Sequence, residues 1–89
     1  MKTTTLTVTL TVRYFAAARA AAGAESEVLR VAPETTVAML VDNLAARGSE
    51  LARVLRRCSF LCDGIAVRDE ATELFDGQII DVLPPFAGG

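Results

Sequence analysis

Apolar and polar residues alternate strictly over residues 6–14, with Leu6, Val8, Leu10, Val12 and Tyr14 on one side and Thr7, Thr9, Thr11 and Arg13 on the other. A period of two puts successive side chains on opposite faces of an extended chain, so this segment is predicted as a half-buried β-strand. Residues 16–22 are Ala apart from Arg19, a run of high helix propensity that Gly23 stops, which predicts one or two turns of helix. Val28, Leu29 and Val31 make a less regular strand over residues 25–32, ended by Pro33. The period then changes. Val37, Leu40, Val41, Leu44 and Ala45 recur at i, i+3, i+4, i+7 and i+8, one face of an amphipathic helix that Thr35 or Thr36 is placed to cap and Gly48 to close. Ser49 is expected to cap a shorter helix in which Leu51, Val54 and Leu55 share a face while Arg53, Arg56 and Arg57 point elsewhere. Residues 58–62 alternate again, Asp63-Gly64 is a two-residue turn signal, and Ile65 and Val67 continue on the far side, together a β-hairpin. Asp76-Gly77 marks another turn before a last strand over residues 78–83, which Pro84-Pro85 ends because neither proline donates to a ladder.

The order strand, short helix, strand, long helix, short helix, hairpin, strand predicts an α+β domain. A mixed sheet of four or five strands around one main helix fits it, with no internal repeat and no linker. The expected arrangement is a β-grasp with the first and last strands paired in parallel at the centre; other small α+β sandwiches fit the periodicity almost as well. Residues 1–83 are expected to form the domain and residues 84–89 a flexible C-terminal tail.

Composition narrows the chemistry. The chain of 89 residues is 52% hydrophobic, but 15 of those residues are Ala, which leaves one small core. With no His and no Trp, catalysis by Ser-His-Asp or Cys-His and His-ligated zinc are excluded. Two cysteines are too few for a disulfide framework or a four-thiolate cluster. If Cys58 and Cys62 lie on one strand they stand roughly 13 Å apart, beyond disulfide reach. They are expected to be structural thiols, with Arg56 and Arg57 placed to lower the pKa of Cys58 if it is reactive. A net charge of −2 argues against nucleic acid, and no apolar run approaches a membrane span or a secretory signal, so a cytoplasmic setting is expected.

Charge is unevenly distributed. Residues 1–57 carry eight basic and five acidic side chains, whereas residues 58–89 carry Arg68 against Asp63, Asp69, Glu70, Glu73, Asp76 and Asp81. A run of carboxylates is most often a solvated face. Because this one precedes the tail, a partner gripping the tail is expected to be basic there.

The most informative segment is Pro84-Pro85-Phe86-Ala87-Gly88-Gly89. Prolines favour an extended exit from the sheet, and six residues reach at most about 20 Å, enough to enter another protein's active site. Glycine at the last two positions removes side chains near the terminal carboxylate, so the backbone is suited to a narrow channel. A carboxylate is a poor electrophile, and chemistry there needs activation by a separate enzyme, for example as an acyl-adenylate. A frayed terminus is the bland alternative.

The segment Val12-Arg13-Tyr14-Phe15-Ala16-Ala17-Ala18-Arg19, the helix opening Thr36-Val37 with Leu40, the Leu74-x-Asp76-Gly77 turn and the Pro84-to-Gly89 ending resemble the small subunit of molybdopterin synthase, one of the ubiquitin-like sulfur carriers. Departures fall at Ala20, where many relatives carry an acid, and at Cys62-Asp63, where they carry an apolar-Asn pair. The resemblance implies a β-grasp fold and a role in molybdenum-cofactor biosynthesis. An adenylating enzyme, using ATP and magnesium, would activate Gly89; a sulfurtransferase or other sulfur donor would convert it to a thiocarboxylate. Inserted into the large synthase subunit, the tail would donate sulfur to cyclic pyranopterin monophosphate. By the same resemblance Gly88 gives clearance, Pro84, Pro85, Phe86 and Ala87 contact the partner, and two small subunits flank a large-subunit dimer. No cofactor is expected to be bound permanently. Ile79 and Leu83, apolar on the outer side of the last strand if Ile80 and Val82 face the core, are expected to belong to the docking surface; coverage by another strand is the alternative.

Overall fold

A computed structural model describes residues 7–85. Its elements are β1 (Val8–Tyr14), α1 (Ala17–Ala22), β2 (Ser26–Val31), α2 (Val37–Ala45), α3 (Ser49–Leu55), β3 (Ser59–Cys62), β4 (Ile65–Ala66) and β5 (Ile79–Leu83). The sheet order is β2-β1-β5-β3-β4. β1 and β5 pair in parallel at its centre, with Thr11 beside Ile79 and Tyr14 beside Val82, and the other pairings are antiparallel. This is the expected β-grasp arrangement.

The strict alternation of β1 is read out directly. Val8, Leu10, Val12 and Tyr14 are buried, as are Ile80 and Val82 of β5, Phe60 of β3, Val37, Leu40 and Leu44 of α2, and Leu51 and Leu55 of α3. Asp63-Gly64 forms the tight turn of the β3–β4 hairpin, with positive φ at both residues (51° and 82°) and Cys62 opposite Ile65. Two positive φ values match the right-handed twist of the arms, which is why Asp-Gly is favoured there.

Several local details differ from expectation. Of the two candidate caps, Thr36 serves α2: its hydroxyl accepts from the Met39 N–H at 3.2 Å. Thr35 is buried, and its hydroxyl donates to the Ala32 carbonyl at 2.7 Å. Gly48 does not close α2, which ends through Ala46 in an ordinary right-handed conformation. Gly48 is extended and precedes α3, so Ser49 is the first residue of that helix and not its cap. Leu74 lies on the connection between β4 and β5 yet is fully buried, held by its N–H donating to the Thr35 carbonyl at 2.8 Å. Leu6 lies outside the described residues.

Candidate functional site

The parallel pairing of β1 and β5 decides where the tail leaves. β5 ends at Leu83, opposite Ser59 of β3, and the Phe15 N–H donates to the Val82 carbonyl at 3.2 Å, so Pro84 and Pro85 emerge between the start of α1 and the end of α3. Together with Ala17, Arg53, Val54 and Arg57 they line a groove of about 290 Å³. Phe86, Ala87, Gly88 and Gly89 lie outside the described residues.

The outer face of β5 carries Ile79, Asp81 and Leu83. Ile79 is 37% exposed and Leu83 half-buried, so both reach the surface, about 13 Å apart by strand geometry. Asp81 separates them. It is 6% exposed and makes a two-pronged ion pair with Arg13, Nε to Oδ1 at 2.6 Å and Nη2 to Oδ2 at 2.8 Å. The same guanidinium stands 5.8 Å from the centre of the Phe15 ring, within cation–π range. Asp81, grouped with the solvated carboxylates by sequence, is thus a buried, paired group. The two apolar residues do not merge into one patch; Ile79 instead neighbours Thr11, whose other strand partner is Val28, 64% exposed.

On the inner face, the Tyr14 hydroxyl donates to Glu27 Oε2 at 2.5 Å, and Arg47 donates to the same oxygen at 2.6 Å. Burial would raise the Glu27 carboxyl, but the hydrogen bonds from Arg47 and Tyr14 outweigh it and hold the group below its ordinary value. Burial, then the bond to Glu27, pushes the Tyr14 phenol far above its own.

The thiols are quiet. Cys58 and Cys62 are free and half-buried against the core, and Cys58 Sγ donates to the Val54 carbonyl at 3.3 Å. Burial pushes the Cys58 thiol up; burial and the adjacent Asp63 push up Cys62. The expectation that Arg56 and Arg57 lower the Cys58 pKa is therefore corrected: desolvation dominates, and thiolate formation is disfavoured. Among the described residues no group of three His, Cys, Asp or Glu is placed to hold a metal ion.

The charge expectation also changes. Asp63 exchanges hydrogen bonds with Ile79 at the start of β5, Asp76 accepts from Thr9 at the start of β1, Glu73 bridges to Thr36, and the Glu70 carbonyl accepts from Ala38 at the start of α2. Asp63, Glu73 and Asp76 lie at the end where β5 begins, whereas Glu70 also lines a groove with Leu55, Arg56 and Cys58 at the end of α3. The tail leaves from the other end, where Arg53 and Arg57 flank its first two residues. Adjacency in sequence put the carboxylates beside the tail; five residues of extended β5 carry Asp63, Glu73 and Asp76 away. Nothing in the local periodicity marks the groove, because it exists only once α1, α3 and Pro84-Pro85 converge.

Comparison with known proteins adds the family. Residues 12–89 match the profile of the ThiS family, a span that includes the groove, the outer face of β5 and both terminal glycines. The chain belongs to the ThiS family. It is a ubiquitin-like β-grasp sulfur carrier of the ThiS type. Among solved structures, the HVO 2177 protein of Haloferax volcanii is 32% identical over 93% of this chain and 88% of its own, with a TM-score of 0.81. Small archaeal modifier protein 1 of Methanosarcina acetivorans is 24% identical over 94% and 99%, with a TM-score of 0.78. A chain from the complex of subunits 1 and 2 of the molybdopterin-converting factor of Helicobacter pylori is 22% identical over 92% and 100%, with a TM-score of 0.68. The last two show the shared fold. Comparison with curated protein sequences gives no match. Among the described residues no helix of this ThiS-family chain is long and apolar enough to cross a membrane.

Proposed function

We propose that this ThiS-family chain is the small subunit of molybdopterin synthase. The observation that carries the reading is the family match running through residue 89, joined to a fold that sends Pro84-Pro85 off the end of its central strand. In the proposed cycle the Gly89 carboxylate attacks the α-phosphate of ATP on a magnesium-dependent adenylating enzyme, and pyrophosphate leaves. Sulfide then displaces AMP and leaves a thiocarboxylate, or a sulfurtransferase persulfide displaces AMP and a thiol reductively cleaves the resulting acyl disulfide to the same product. The tail enters the large subunit, gives its sulfur to cyclic pyranopterin monophosphate, and water restores the carboxylate. Gly88 keeps the backbone slim, Phe86 and Ala87 contact the partner, and Ile79 and Leu83 belong to the docking face. The assembly of subunits 1 and 2 in the Helicobacter pylori protein supports a large subunit as partner.

A second reading, a modifier or a carrier for thiamine, cysteine or tRNA sulfur, draws on the likeness to the archaeal modifier. Co-expression with an adenylating enzyme, followed by intact mass measurement, tests the carrier chemistry: the chain gains the mass difference of sulfur replacing oxygen, and deletion of Gly89 abolishes the gain. Mixing the loaded form with large subunits and the pterin precursor decides between pathways. Molybdopterin formation supports the first reading, and its failure with the best-matched large subunit supports the second.

A further inference from the structure

The groove at the root of the tail has an apolar floor of Ala17, Val54, Pro84 and Pro85 and a cationic rim of Arg53 and Arg57. Arg53 lies on α3 and Arg57 just past its C-terminal cap, and both line the groove beside Val54. Arg53 bonds Glu50 of its own helix, a pair exposed on both sides. Arg57 forms no ion pair among the described residues. Pro84 and Pro85 line the groove and also begin the tail. Whatever closes around the tail must therefore cover the groove.

Covering a guanidinium without supplying a counter-charge is costly, and a basic surface laid over two of them adds like-charge repulsion. Asp63, Glu73 and Asp76 offer no relief, since they stand at the far end of β5, and Glu50 pairs with Arg53 alone. We infer that the groove docks an Asp or Glu flanked by aliphatic side chains on the rim of the adenylating enzyme's tail-binding cleft. This inference rests on the carrier reading above. It makes the carrier's charge distribution a guide to orientation: an acid of the enzyme meets α3, and the acidic far end of the carrier stays outside the contact.

The test is ATP–pyrophosphate exchange with the full chain, ATP, labelled pyrophosphate, magnesium and the adenylating enzyme of the same genome, followed at increasing sodium chloride. The variants are Arg53→Glu/Arg57→Glu and, as a far-end control, Glu73→Lys. The double reversal at the groove is expected to raise the KM for the carrier by about tenfold or more with little change in kcat, and to abolish the salt dependence of the wild-type KM. The far-end control is expected to keep the wild-type KM. Melting curves identify a folding defect; in that event Arg57→Gln replaces the double variant and is expected to raise KM by about threefold. A groove variant that folds and is adenylated with the wild-type KM overturns the inference while leaving the carrier reading intact. A wild-type chain that supports no ATP–pyrophosphate exchange overturns both.

Discussion

Ala16 has φ 51° and ψ −126°, a conformation normally reserved for Gly, at the turn in which the Ala18 N–H donates to the Phe15 carbonyl at 3.0 Å. The turn swings the chain from β1 into α1 and so places Ala17 at the groove. Relief of strain of about 1–3 kcal/mol outweighs the roughly 0.5–1 kcal/mol of extra chain entropy that Gly loses on folding. Ala16→Gly is thus expected to stabilise the fold by about 1 kcal/mol in urea unfolding, and Ala16→Val to destabilise it. A second residue-scale prediction concerns pH. Because the folded Glu27 carboxyl lies below its ordinary value of 4.5, its contribution is present above that pH and fades as pH falls through the lower folded value. Glu27→Gln should cost at most about 1 kcal/mol at pH 7, given its solvent screening, and the gap between the two proteins should narrow as pH falls below 4.5. A constant gap across that range would show that shape, not charge, sets the role of Glu27.

At the scale of elements, legibility follows local repetition. β1, α2 and the Asp63-Gly64 hairpin each repeat a pattern within a few residues, and each is where the pattern places it. The boundary between α2 and α3 was less legible, because Gly48 serves as a C-terminal stop or an N-terminal lead by the same chemistry, and only tertiary packing chooses. Leu74 and Phe75 make the point sharply: adjacent and both apolar, one is fully buried and the other 58% exposed. Hydrophobicity alone does not choose between them; the hydrogen bond from Leu74 to Thr35 and the bridge from Glu73 to Thr36 do, by pinning the connection across the start of α2. Leu74→Ala should therefore behave as a core truncation and cost about 2–5 kcal/mol in chemical denaturation, whereas Phe75→Ala should cost under about 1 kcal/mol.

On the scale of the whole molecule, the sheet's central pair joins the two ends of the sequence, Arg13 to Asp81 across β1 and β5. The strand that completes the core is the one that leads into Pro84-Pro85, so folding sets where the chain leaves the sheet. The tail was legible as a motif, but its electrical setting was not, since which charges surround Pro84 depends on contacts between residues far apart in sequence. This division predicts opposite outcomes for two changes close together in the chain. Replacing Ile80 by Ala removes a side chain buried between β1 and β3 and should cost about 2–5 kcal/mol, with activity falling only as far as the folded population falls. Gly88→Ala adds one methyl group five residues past the end of β5 and, on the proposed carrier reading, should leave the melting temperature within about 1 °C yet slow adenylation or sulfur transfer, because a side chain there hinders passage through a narrow channel. The two variants are compared by melting temperature and by the rate of thiocarboxylate formation at a temperature where both are folded. If Gly88→Ala loses stability and loading in equal measure, the terminal glycines act on the fold, and the separation of scaffold from reacting terminus fails.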